Sequence, residues 1–139
     1  MPMRPVLVLS IILALTGAAL AQAQSLALEL NAVQPSEKGC RFTFVVNNAL
    51  GAEVNRAAFE IALFDSVGVV DRLTVLEFKG LPEGRTKVSR FELSGVDCAK
   101  VGRLLVNAVT ACEGEGLTPQ FCESRLKAGS KTGNVNFGT

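Results

Sequence analysis

Apolar and polar residues alternate along much of the chain after position 25, which is the pattern of strands that bury one face. The alternation places Leu26, Leu28 and Leu30 on one side of a first strand. It recurs from Cys40 to Val46 and from Phe59 to Leu63, where phenylalanine and aliphatic side chains take the inward positions. The sequence therefore predicts three strands that each pack one face against a core.

Three further stretches continue this pattern with less regular spacing. Val69 to Phe78 is rich in β-branched residues, but Val75 and Leu76 face opposite ways, so we expect either a bulge or two half-buried faces. Thr86 to Leu93 follows a Leu-Pro-Glu-Gly turn and carries apolar residues on one face. Val101 to Ala111 is apolar on both faces, which favours a central strand.

The C-terminal part predicts one short helix and one edge strand. Thr118 as N-cap, Pro119 at the first helical position and Gly129 as terminator define a helix that runs through Lys127. Asn134 to Phe137 predicts an edge strand that closes the sheet. Six or seven strands plus one short helix indicate an all-β domain, and we expect an antiparallel β-sandwich of immunoglobulin or fibronectin type III character.

The first residues have the layout of an export signal. Arg4 provides a short positive start, the run from Val6 to Leu20 is almost wholly apolar, and Ala21 and Ala23 are the small residues that signal peptidase reads. An apolar run of about 15 residues is shorter than the roughly 20 that a membrane-spanning helix needs. We therefore expect residues 1–23 to be a cleaved signal peptide. Residues 24–139 then form one domain, periplasmic or secreted, without a stable membrane anchor.

Composition excludes many chemistries from that domain. The chain has no histidine, tryptophan or tyrosine, and its two methionines precede the expected cleavage site. Without histidine, no side chain titrates near neutrality at its ordinary pKa, and the commonest zinc and copper ligand is missing. We therefore expect no enzymatic activity, no bound metal and no cofactor.

Net charge points to no particular partner. The full chain has 14 Lys plus Arg and 13 Asp plus Glu, so loss of Arg4 with the signal leaves 13 of each. A net charge of zero gives neither the basic footprint of a nucleic-acid-binding surface nor a polybasic membrane patch. We therefore expect no nucleic-acid partner.

Cys40, Cys98, Cys112 and Cys122 allow three pairings, and disulfides are the usual state of paired cysteines in an exported domain. If the strands alternate in direction, Cys40 and Cys98 begin strands at the same end of the domain. Cys112 ends its strand at the opposite end, where Cys122 can fold back to it. We therefore favour Cys40–Cys98 and Cys112–Cys122, while the second bridge is either structural or labile. The competing redox or metal site lacks a Cys-x-x-Cys spacing and a histidine ligand.

Two C-terminal motifs imitate catalytic signatures. Ser124 to Lys127 matches Ser-x-x-Lys, and Lys131 to Gly133 matches Lys-Thr-Gly, but the two lie within ten residues of each other. In penicillin-binding enzymes the second motif lies far downstream, on a strand of a much larger domain. The run from Gly129 also lacks the strand and helix that flank a phosphate loop. We interpret the run from Gly129 to Gly133 as a flexible turn and assign no catalytic role to either motif.

A stretch in the middle of the chain resembles a group of exported proteins. It comprises Phe59 to Asp65, the turn Leu81-Pro82-Glu83-Gly84-Arg85-Thr86, and Phe91-Glu92-Leu93. This order of motifs is similar to small uncharacterised exported proteins of proteobacteria, of alphaproteobacterial type, and in the middle region to fibronectin-like FxLYD-type modules. The resemblance covers about Leu26 to Cys122. It implies a β-sandwich fold and transfers no catalytic residue.

The function that these observations favour is a non-enzymatic exported module that binds another envelope protein. Binding would use either an exposed sheet face or strand addition at a sheet edge. Ala58, Ala62 and Val45 take outward positions in the predicted strands and are the expected face. The identity of the partner and the oligomeric state do not follow from the sequence.

Two alternatives remain open. One is a carrier of a small apolar ligand, whose cavity would be lined by Phe42, Phe44, Phe59 and Phe91. The other, less favoured, is a secreted protease inhibitor that presents Glu113 to Gln120 as a rigid loop.

Overall fold

The computed structural model describes residues 1–3, 17 and 23–139. Nearly all of the expected signal peptide lies outside the described residues, so its cleavage after Ala23 stays a prediction. A 3₁₀ turn occupies Cys98–Lys100. The strands and the helix of the described domain are β1 Ser25–Pro35, β2 Gly39–Ala49, β3 Val54–Asp65, β4 Val70–Leu81, β5 Thr86–Ser94, β6 Val101–Glu113, α1 Pro119–Arg125, β7 Leu126–Ser130 and β8 Asn136–Gly138.

The strands form two packed sheets, which confirms the predicted β-sandwich. Sheet A has the order β5-β2-β1-β7, and sheet B has the order β4-β3-β6-β8. The described domain has eight strands instead of the predicted six or seven. The pairs β1–β7 and β6–β8 are parallel, so both sheets are mixed and the wholly antiparallel arrangement was wrong. The immunoglobulin or fibronectin type III assignment stays a prediction.

The largest departure from expectation follows α1. Its start is as predicted, because Pro119 begins the helix and Thr118 Oγ1 accepts a hydrogen bond of 3.1 Å from the Phe121 amide. The helix ends at Arg125, however, instead of running through Lys127. The next residues form β7, which pairs in parallel with the edge of β1. A free strand edge offers partners for main-chain groups, and this pairing overrides the local helix signal.

The inner faces of both sheets meet in a phenylalanine-rich core. The ring of Phe44 in β2 lies edge-on to Phe78, Phe91 and Phe137, with centroids 6.0, 5.9 and 5.5 Å away. Phe59 of β3 lies 5.6 Å from Phe78 in the same geometry. Edge-to-face contacts of this kind add to the stability gained from burying the rings. The cluster therefore joins strands of both sheets through one side chain of β2.

A buried asparagine connects two loops at one end of the sandwich. Asn48, at 0% exposure, donates from its amide nitrogen to the carbonyls of Ala52 and Leu81, at 2.8 and 2.9 Å. Its Oδ1 accepts a bond of 3.0 Å from the Leu50 amide. Both donors and the acceptor are satisfied, so burial leaves no polar group unpaired. The side chain thereby fixes the β2–β3 and β4–β5 connections relative to each other.

Both flanks of the sandwich, where edge strands of opposite sheets meet, are bridged. On one flank Lys87 Nζ of β5 donates to the Gly80 carbonyl of β4 at 2.8 Å. At the other end of the same flank Arg72 of β4 donates to the Ser94 carbonyl of β5 at 3.0 Å. On the opposite flank, residues 131–135 join β7 directly to β8. Charged side chains and covering segments at strand edges hinder the addition of a further strand.

Candidate functional site

The four cysteines form the two disulfides that the sequence favours. Cys40 bonds to Cys98 and Cys112 bonds to Cys122, with Cα–Cα distances of 5.2 and 6.5 Å. Cys112 and Cys122 are only 3% and 0% exposed, which shields this bridge from thiol reagents and favours a structural role. Two disulfides indicate an oxidising, extracytoplasmic environment.

The outer face of sheet A is largely polar. Arg41 of β2 forms an ion pair of 3.9 Å with Glu92 of β5, and both side chains are more than two-fifths exposed. Val45 is the register partner of Val88, which makes one apolar pair on this face, and Glu29 of β1 lies on the other side of Val45. A single apolar pair surrounded by polar residues is ordinary for a protein surface.

The outer face of sheet B is different, because apolar side chains occupy neighbouring positions on β4, β3 and β6. Leu73 and Val75 of β4 point away from the core and are each 56% exposed. The register places Ala62 of β3 between Leu73 and Leu105 of β6. We define the apolar patch as six outward side chains of these strands, namely Val70, Leu73, Val75, Ala62, Phe64 and Leu105.

The residues expected to form the binding face do not lie together. Ala58 and Ala62 are on the outer side of sheet B, whereas Val45 is on the outer side of sheet A. The prediction of one face containing all three was therefore wrong, because strand alternation gives the side of a strand but not the sheet to which the strand belongs. Ala58 and Ala62 are also only 1% and 4% exposed, since their side chains are short and their neighbours stand above them.

Leu73 and Val75 were not identified as surface residues from the sequence, although the irregular alternation from Val69 to Phe78 indicated that this strand differs from the others. The expectation for this stretch was a bulge or two half-buried faces. In the structure, Leu76 and Phe78 of β4 point inward while Leu73 and Val75 point outward, so the strand is apolar on both faces. A register shift does occur in β4, but at Asp71 rather than between Val75 and Leu76.

A charged network borders the patch at one end of the strands. Arg56 of β3 donates to Glu77 of β4 and, at 2.9 Å, to Glu113 of β6. These hydrogen bonds, the one to Glu77 foremost, raise the pKa of Arg56 above its ordinary value. The guanidinium therefore stays charged and connects three strands across the outer face of sheet B.

Two further charges lie within the area of the patch. Arg103 of β6 is exposed and holds its guanidinium over the ring of Phe64, 5.2 Å from the centroid. Glu60 of β3 accepts a hydrogen bond of 2.6 Å from Asn107. Among the described residues, no ion pair includes either Arg103 or Glu60.

The positions proposed for a ligand cavity are filled by the core itself. Phe42, Phe44 and Phe59 are 1%, 1% and 0% exposed. Phe91 is half-buried, and its ring contacts Phe78 at 5.0 Å and Phe44 at 5.9 Å. Rings packed at these distances leave no space between them for an apolar ligand.

A pocket of about 240 Å³ lies at the end of the sandwich where β3 ends and β6 begins. Asp65 and Asp97 in its wall accept hydrogen bonds from main-chain amides of their own turns, so these carboxylates already stabilise local structure. No cluster of three or more histidine, cysteine or acidic side chains within the described ranges has the spacing to hold a metal ion. The charged residues that line the pocket are Asp65, Asp71, Asp97 and Lys100.

The C-terminal motifs take part in local hydrogen bonding. Ser124 Oγ donates to the Phe121 carbonyl at 2.7 Å within α1, while Lys127 belongs to β7. The Thr132 amide donates to Ser130 Oγ at 3.1 Å. Ser130 and Thr132 are engaged with each other in the turn between β7 and β8, whereas Ser124 and Lys127 belong to a helix and to a strand. Both motifs therefore take part in local structure.

The loop expected for an inhibitor is held at both ends. Glu113 to Gln120 lies between the cysteines of the second disulfide. Within it, a β carbon added to Gly114 would approach the Glu53 carbonyl oxygen to 2.3 Å, so the loop packs closely against the β2–β3 connection. This geometry holds the loop against the β2–β3 connection, and its use as an inhibitor stays a prediction.

Comparison with known proteins adds no family assignment. No family model, curated protein or solved structure matches this chain. The resemblance to exported proteobacterial proteins therefore stays a prediction. In the part of the chain that the structure describes, no helix is long and apolar enough to span a membrane.

Proposed function

We propose that this chain is a non-enzymatic module of the bacterial periplasm that mediates protein–protein interaction in the cell envelope through the apolar patch. The observation that carries the proposal is the pair Leu73 and Val75, two adjacent aliphatic side chains of one outer face that are each 56% exposed. Contiguous exposed apolar surface is typical of protein–protein interaction sites. Burying it in a complex releases about 25 cal/mol per Å² of apolar area.

The patch is a better binding surface than the strand edges. Lys87 and Arg72 bridge β4 to β5 at both ends of one flank, and these bonds would have to break before a foreign strand could pair there. The patch itself requires no such opening. We therefore assign binding to the sheet face instead of to strand addition.

The assignment to the periplasm combines two supports. The expected signal peptide, cleaved after Ala23, directs export, and the two disulfides fit an oxidising compartment. The non-enzymatic assignment is supported by the absence of histidine from the sequence and by the local structural roles of Asp65 and Asp97. No cofactor is needed for this function.

Crosslinking in the intact envelope tests the proposal. The tagged wild-type protein and a Leu73→Lys/Val75→Lys variant are expressed at equal levels, treated with a crosslinker and compared by immunoblot. We expect crosslinked species in the wild type that the variant loses, because a charge placed on the patch must be desolvated on binding.

Val88 provides the matched control, because it is a valine on an outer face that is 58% exposed, but in sheet A. Val88→Lys should retain the crosslinked species. Circular dichroism and intact mass with both disulfides verify that each variant is folded. Equal crosslinking in the wild type and the patch variant would contradict the proposal.

A further inference from the structure

The residues of the patch lie in three rows across β4, β3 and β6, and the charges in these rows follow a symmetry. The middle row is Leu73, Ala62 and Leu105, all apolar. In the row on one side of it, Arg103 is the single charged residue. In the row on the other side, the single charged residue is Glu60. The two charges have opposite signs and lie one row above and one row below the middle row.

This arrangement is complementary to itself. A two-fold axis that lies along the middle row stacks two copies face to face with their strands antiparallel. The middle row then faces itself, and each outer row faces the other outer row of the second copy. Glu60 of one copy consequently lies over Phe64 of the other, where Arg103 holds its guanidinium. Because the contact is isologous, it occurs twice in the pair.

We infer that a second copy of this chain is the occupant of the apolar patch. The inference rests on the proposed function, because it names the partner of the same surface. The charge pattern carries it, since neither Arg103 nor Glu60 has an ion-pair partner among the described residues and each gains one across the two-fold axis. Opposite charges placed in this way set the register of a face-to-face contact.

The size of the shared face fits a weak dimer. The middle row lies three residues from Asp65 and Val70 and four from Val101, so an axis along it lets the strands of two copies overlap over about eight residues. That overlap is roughly 15 by 25 Å, or about 400 Å² on each copy. The total of about 800 Å² is typical of weak, transient contacts. We therefore expect a dissociation constant of about 100 µM or higher, and face-to-face packing with the strand directions aligned to within about 30°.

Sedimentation velocity of the disulfide-bonded protein purified from its envelope tests this dimer, from about 10 µM to about 1 mM, a range that brackets the expected constant. We expect a concentration-dependent shift from monomer to dimer. Arg103→Glu and Glu60→Arg should each raise the dissociation constant by about tenfold or more, because like charges then face each other twice. The double variant Arg103→Glu/Glu60→Arg should return to within about threefold of the wild type, as expected for two residues that interact directly.

Arg90→Glu is the matched control, because Arg90 is an exposed arginine on the outer face of sheet A and its reversal should leave the dimer unchanged. A monomer throughout the range would overturn the dimer. A double variant whose dissociation constant is no lower than that of the weaker-binding single variant would also overturn it. The proposed function is tested separately from the dimer. Envelope crosslinks that survive Leu73→Lys/Val75→Lys contradict the proposed function. If the variant loses the crosslinks although the protein is strictly monomeric in sedimentation, the partner is a protein other than a second copy.

Discussion

The two sheets share a core, but the side chains on their outer faces differ in polarity. Sheet A covers its outside with polar rows and the ion pair of Arg41 and Glu92, and Val45 and Val88 are one apolar pair among them. Sheet B exposes Leu73 and Val75 on the corresponding side. Both sheets need an apolar inner face to fold, whereas neither needs an apolar outer face. The difference therefore separates apolar residues that folding requires from apolar residues that folding does not explain.

The strongest test of this separation compares neighbouring residues of one strand. Phe44 points inward and meets three aromatic rings, while Val45 points outward. Phe44→Ala should lower the free energy of unfolding by about 4 kcal/mol, because it leaves a cavity in the core. Val45→Ala should cost under about 1 kcal/mol. Urea denaturation with the disulfides intact measures both, and similar losses would show that the outer face also supports the fold.

The two disulfides differ in the elements that they join and in the length of the loop that each closes. The first bridge joins β2 of sheet A to the turn before β6 and closes a loop of 58 residues, whereas the second joins β6 to α1 and closes one of 10. Replacing Cys40 and Cys98 by serine should cost about 4 kcal/mol, and replacing Cys112 and Cys122 about 3 kcal/mol, from loop-closure entropy. Denaturation of the two double variants shows which of them loses more free energy of unfolding. A larger loss for the shorter loop would contradict this entropic account.

The smallest expected difference concerns the surface charges. Arg56 of sheet B bonds to Glu77 and Glu113, whereas Arg41 of sheet A has one looser contact. The pKa of Arg56 is raised, so its contribution to stability is present below its ordinary pKa and is lost only at strongly alkaline pH.

Salt is therefore the practical probe of this network. Arg56→Gln should lower Tm by at most about 3 °C, and Arg41→Gln should lower it less. At about 1 M NaCl, where the screening length is about 3 Å, the difference between the two variants should vanish. Thermal unfolding at low and high salt measures it, and a difference that persists in salt would indicate packing of the arginine stem instead of charge.

Local patterns were sufficient to predict most of the sandwich. Alternation in the sequence identified β1, β2, β3 and β5, because a strand that buries one face shows a period of two. The strands β4 and β6 followed from runs of apolar residues that leave neither face polar. Thr118 and Pro119 placed the start of α1, since capping depends only on adjacent residues. The disulfide pairs also followed, because strand direction alone decides which cysteines lie at the same end.

What local patterns could not give is the arrangement of the strands relative to one another. β7 forms because the edge of β1 accepts it, which is a property of a distant part of the chain. The assignment of Val45 to one sheet and Ala62 to the other depends on the order of strands in each sheet. For the same reason, the patch of Leu73 and Val75 became recognisable only once β3 and β6 were placed beside β4.

The pairing of Leu26 with Leu126 also determines the order in which the domain can be completed. A chain that emerges amino end first presents the edge of β1 early, but the strand that covers this edge is among the last to appear. Contacts between such distant positions slow folding, because a long loop must close before they form. The sandwich can therefore be completed only when almost the whole chain is available.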